Sequence, residues 1–123
     1  MNEIEVPSEY YEACTFVDWL ELMKNVGKVL DYCHIANESY GGTKADMLRG
    51  AKLKRQGRKR GVFDYEVFLP KPPYELRIEL KKRRNGTVSK SQKEWLEIYR
   101  QCQIPAKVCR GADKAIDFVK EYL

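Results

Sequence analysis

Residues 74–82, YELRIELKK, leave this chain little choice of local structure, because apolar and polar side chains alternate through them. A period of two marks a strand with one face buried. Leu76, Ile78 and Leu80 share that face, and Arg77, Glu79 and Lys81 share the other. A second run, DYEVFL from Asp64 to Leu69, comes just before, and Pro70-Lys71-Pro72-Pro73 forces a turn between the two. Paired as a hairpin, the strands bring Asp64 within reach of Glu79 and Lys81.

Two converging carboxylates make an oxygen-rich site for a hard divalent cation such as Mg²⁺. A lysine beside them can orient a water or offset charge that develops on a phosphate. Phosphodiester hydrolysis uses that set. On these residues alone, an ordinary hairpin with a surface Glu–Lys face is the plainer account.

The distribution of charge narrows the choice. The chain has a net charge of +5, but residues 1–23 hold six acids and no base, and residues 44–60 hold eight bases against Asp46 alone. Lys81, Lys82, Arg83, Arg84, Lys90 and Lys93 then follow with no acid among them. Basic runs on both sides of an acidic site suit a polyanion such as nucleic acid. A single run of this kind would read as a solvated surface.

The 123 residues form one domain large enough for a real core. A mean hydropathy of −0.62 and the lack of any apolar run near the roughly 18–20 residues of a membrane span argue against a membrane protein. The N-terminal Met-Asn-Glu-Ile-Glu has no apolar signal core, so the expectation is an intracellular protein whose four cysteines are reduced and mostly buried. No two cysteines form a CxxC pair, and one histidine leaves no zinc set.

Read in order, the pattern is helix, strand, helix, strand, strand, helix, strand, helix. Ser8 suits an N-cap, with Glu9 and Glu12 in the first turn, where the helix dipole favours acids. Ala13, Phe16, Val17 and Leu20 follow as a buried stripe. Residues 29–36 read as a strand, and Thr43 to Gln56 as a basic helix ended by Gly57, with Ala45, Leu48 and Ala51 as a thin apolar stripe. A helix from about Ser89 to Cys102 carries Trp95, Leu96, Tyr99 and Cys102 inward, and Ser89-x-x-Gln92 fits a capping box. Ala106–Cys109 is a last strand. The final helix presents Ala112, Ala115, Ile116, Val119 and Leu123 to the sheet. This is an α/β domain with a small mixed sheet flanked by helices.

Asp64, fourteen residues, then Glu79-Leu80-Lys81 resembles the PD-(D/E)XK nuclease signature, with Phe63 where that family usually has proline. The surrounding order is more specific: His34-Ile35-Ala36-Asn37-Glu38, Gly57, Gly61-Val62-Phe63-Asp64, the ExK, then Gly86, Ser89, Gln92 and Arg110-Gly111. It is similar to the virus-type replication-repair nuclease (VRR-NUC) domain over nearly the whole chain. That resemblance implies a restriction-endonuclease-like core and Mg²⁺- or Mn²⁺-dependent cleavage of DNA, branched forms such as Holliday junctions included. It implies Asp64, Glu79 and the backbone carbonyl of Leu80 as metal ligands, with Glu9 as a further one, and Lys81 and Gln92 as catalytic partners. Substrate contacts are expected from Asn37, Lys59, Arg60, Lys82 and Arg83. A homodimer and a phage or viral setting are also implied. A non-catalytic DNA-binding module and an RNA-processing nuclease are the alternatives.

Overall fold

The computed structural model describes residues 6–36 and 41–123. Its elements follow the expected order: α1 (Glu9–Asn25), β1 (Asp31–His34), α2 (Lys44–Arg55), β2 (Tyr65–Phe68), β3 (Glu75–Lys81), α3 (Lys90–Gln101), β4 (Ala106–Arg110) and α4 (Ala112–Lys120). The sheet order is β1-β2-β3-β4, with the first three strands antiparallel and β4 parallel to β3. Among the described residues no helix is long and apolar enough to cross a membrane.

The alternation in β3 does what its pattern requires. Leu76, Ile78 and Leu80 are buried with Tyr65 and Val67, the matching face of β2, and with Leu69 just beyond it. Phe16 and Leu20 of α1 and Ala115, Phe118 and Val119 of α4 close over them. The other face meets α3, where the Arg77 guanidinium lies 5.6 Å from the centre of the Tyr99 ring. Helices therefore cover both faces.

Four details differ from the sequence reading. β1 is shorter than residues 29–36, because four-residue β2 offers it only the partners Tyr65 to Phe68. Thr43 caps α2 through the Asp46 amide as expected, yet α2 buries no residue; two alanines and a leucine are too little apolar surface to dock it. In α3 only Tyr99 is buried, while Leu96 and Cys102 are exposed. The cysteines are all free, but only Cys109 is buried.

α3 also meets the segment that leads into β2. Trp95 donates its indole N–H to the Arg60 carbonyl (2.9 Å), and the Tyr99 hydroxyl accepts from the Phe63 amide (3.2 Å). Between these bonds sits Gly61 at φ +84°, where an added Cβ would lie 2.4 Å from the Ser91 carbonyl carbon. Only glycine satisfies both the left-handed backbone and the close approach. Three residues later the chain reaches Asp64, so this contact sets where that carboxylate enters the sheet. Gly61→Ala should destabilise the fold by about 3 kcal/mol or more, measured by urea denaturation. A loss below about 1 kcal/mol would mean that the α3 contact gives way freely.

Candidate active site

The β2–β3 ladder ends at Tyr65 opposite Ile78. One residue further, the Asp64 side chain takes the place of a strand partner: the Leu80 amide donates to Asp64 Oδ1 at 3.0 Å. Asp64's own carbonyl accepts from the Ile35 amide at 2.7 Å, which fixes the residue between β1 and β3. Glu79 is only 7% exposed, and Lys81 is half-buried. Strand alternation puts Glu79 and Lys81 on one face, as the sequence implied. The Leu80 amide faces the β2 side, so the Leu80 carbonyl points there too, beyond the last ladder pair.

Burial dominates the electrostatics. It pushes the Asp64 carboxyl up to about 7; the Leu80 amide opposes the rise and the charge of Glu9 adds to it. Burial and then the charge of Asp64 push Glu79 up to about 8, against the pull of Lys81. The Asp64 backbone amide also lies close enough to lower Glu79 slightly. Two acids this close and short of water, with Asp64 raising Glu79 and Glu9 adding to both, are deficient in positive charge. Among the described residues no group of three His, Cys, Asp or Glu side chains is arranged to hold a metal ion. Asp64 and Glu79 thus make a two-carboxylate, all-oxygen donor set. Such a set fits Mg²⁺ or Mn²⁺, hard ions that keep several waters among their ligands.

Glu9 is exposed in the first turn of α1, and its charge reaches both carboxyls. Its neighbour Glu12 does something the sequence reading did not foresee. At 2% exposure it accepts from Arg83 Nε (2.9 Å) through one oxygen and from the Ala112 amide through the other. Arg83 Nη1 also meets Asp113 at 3.1 Å. Gly111, the N-cap of α4, offers no side chain of its own, and a Cβ there would lie 3.1 Å from Glu12 Oε2. Glu12 therefore caps α4 from across the domain. The signal was present: Glu12, Phe16 and Leu20 recur every four residues, which places the acid on the buried stripe.

The other expected contacts differ in their surroundings. Lys59, Arg60 and Lys82 are exposed. Arg83, expected on substrate, has two of its nitrogens engaged by Glu12 and Asp113. Gln92 completes the capping box, accepting from the Ser89 amide at 3.0 Å while its own amide donates to Ser89 Oγ; the structure thus occupies its carbonyl oxygen at the helix start, beside Gly61. Asn37 lies outside the described residues. His34 packs at 5.0 Å against the Tyr65 ring.

No family model matches the sequence, and no curated protein matches it. A solved structure does. A VRR_NUC domain protein matches with a TM-score of 0.72 at 22% identity, over 98% of this chain and 91% of its own. The chain has that protein's fold. The likeness concerns architecture; the roles of individual residues rest on the geometry above.

Two predictions follow from the site. A carboxyl raised in the folded state contributes stability at low pH that is lost as pH climbs from its unfolded value, 3.8 or 4.5, through 7 or 8. In metal-free buffer, Glu79→Gln should match wild type near pH 4 and become more stable by on the order of 2–4 kcal/mol by pH 9. A difference that stays flat with pH in paired melts would show that Glu79 titrates normally. Glu12→Ala leaves the buried Ala112 amide without an acceptor and should cost about 2 kcal/mol, read by chemical denaturation.

Proposed function

We propose that this chain is a VRR-NUC nuclease that hydrolyses DNA phosphodiester bonds with Mg²⁺ or Mn²⁺, cutting branched DNA such as Holliday junctions as a homodimer. One observation carries the reading: two carboxylates, Glu79 buried and Asp64 half-buried, share a cation-deficient site with Lys81 two residues beyond Glu79 on the same face. Chance surface acids would be solvated and unshifted. Asp64, Glu79 and the Leu80 carbonyl would hold the metal, and Glu9 would reach it from α1. When bound, the ion activates a water and offsets charge on the phosphate.

The remaining work falls to the chain's own groups. Lys81 offers its ammonium to the phosphate oxygens as their charge grows, or steadies the attacking water. Gln92 keeps the first turn of α3 beside Gly61 and offers its side-chain N–H₂ towards substrate. Lys59, Arg60 and Lys82 supply positive charge for the flanking backbone, and Asn37 contributes from its loop. Arg83, with Nε and Nη1 held by Glu12 and Asp113, would offer substrate what remains of its fork. Two copies about a two-fold axis would present paired sites to a four-way junction. An intracellular, viral setting belongs to the same proposal.

The test is cleavage of a labelled four-way junction and its matched linear duplex, with Mn²⁺, with EDTA and with Glu79→Ala. We expect Mn²⁺-dependent cutting of the junction, weak cutting of the duplex, and a loss of at least ~10³-fold in the variant. Equal cutting of both substrates would leave a nuclease without shape preference, and cutting of matched RNA instead would make it an RNA-processing enzyme. Binding without any cutting would point to a DNA-binding module.

A further inference from the structure

The sheet brings a further cation to the site, one that the chemistry above leaves unassigned. β4 runs parallel to β3 with Glu79 opposite Val108, Leu80 opposite Cys109 and Lys81 opposite Arg110. Paired residues on neighbouring strands point to the same side of a sheet. Cys109 is in the core, so Arg110 stands with Lys81 and Glu79 on the polar face.

The turn after β3 holds the two cations near one another. A Cβ built on Gly86 would lie 3.2 Å from Arg110 Nη1, 3.3 Å from Lys81 Cβ and 3.6 Å from Lys81 Cδ. The guanidinium and the lysine stem thus border the same small patch of backbone, which any larger residue would crowd. Among the described residues neither Lys81 nor Arg110 forms an ion pair with a carboxylate. Arg77 and Arg83, the neighbouring arginines on the same strand and just beyond it, are both paired. The charge of Lys81 reaches Asp64 and Glu79 without closing an ion pair to either, so the two cations leave room for an anion between them, and the planar fork of arginine fits two phosphate oxygens at once.

We propose that Arg110 and Lys81 form a seat for a phosphate of the cleaved strand, with Arg110 gripping it and Gly86 keeping the seat open. The inference rests on the nuclease reading and adds a residue to it. A purely structural role for Arg110 would be to brace the turn at Gly86. The two roles differ in what they move: a phosphate contact changes affinity and its salt dependence, and a brace changes stability.

The experiment compares wild type, Arg110→Gln and Arg110→Lys. Equilibrium binding of a fluorescent four-way junction is measured in EDTA across a NaCl series, alongside kcat/KM with Mn²⁺ and thermal melts. Arg110→Gln should weaken binding about tenfold, reduce the slope of log K against log salt by about one, and leave Tm within a few degrees. Arg110→Lys should restore the slope and only part of kcat/KM, since it returns the charge without the fork. If Arg110→Gln binds with wild-type affinity and slope while wild type cuts, the phosphate seat is wrong. A lowered Tm with an unchanged slope would make Arg110 a brace. Failure of wild type to bind or cut any substrate would instead sink the nuclease reading, and this inference with it.

Discussion

Glu12 is a charge held almost out of water, and the arrangement of the site depends on how that charge is satisfied. An unpaired carboxylate there would be strongly unfavourable. Its two oxygens take up the Arg83 guanidinium and the first amide of α4, so α1, the end of β3 and the start of α4 meet at one point. Glu9 lies one turn away along α1, and Lys81 lies two residues before Arg83. The Gly111 amide, next to the cap, donates to the Lys81 carbonyl at 2.9 Å. Each element that carries a candidate catalytic group from this side is therefore fixed by the same carboxylate. That arrangement costs little elsewhere, because Gly111 replaces bulk with space where three charged groups converge.

The opposite wall of the site is held by neutral contacts. Gly61, the Arg60 carbonyl and the Phe63 amide fit α3 onto the approach to β2, and Phe63 meets the Tyr99 ring edge-on at 5.1 Å. Asp64 follows immediately and completes β3's hydrogen bonding with its side chain in place of a backbone carbonyl. A site built this way is rigid on both sides, which suits two carboxyls that repel each other. Relaxation apart is the ordinary remedy for such a pair, and the surrounding contacts oppose it. What remains is protonation or a cation.

Much of this was legible in the sequence, for a physical reason. The order of elements, the two N-caps at Ser8 and Thr43 and the face carrying Glu79 and Lys81 follow from local periodicity and from hydroxyl side chains at helix starts. Those signals act over a few residues. The roles of Glu12 and Arg83 are set by partners 71 residues apart, and no local pattern encodes that pairing. Arg83 read as one more member of a basic run, although it is paired with Glu12 and Asp113 and the adjacent Lys82 and Arg84 form no ion pair among the described residues. α2 erred in the other direction: its apolar spacing was real, but the helix buries none of its residues.

The parallel pairing of β4 deserves separate weight because register decides which side chains the site receives. The bonds from the Arg77 amide to the Pro105 carbonyl, at 3.0 Å, and from the Gly111 amide to the Lys81 carbonyl fix it at both ends. A slip of one residue would turn Cys109 to the polar face and drive Arg110 into the core. Burial of Cys109 and solvation of Arg110 both oppose the slip, so the same alternation that stabilises the sheet also delivers a guanidinium beside Lys81. Packing and chemistry are thus satisfied by one register, and the arginine's place at the site needs no separate device to hold it.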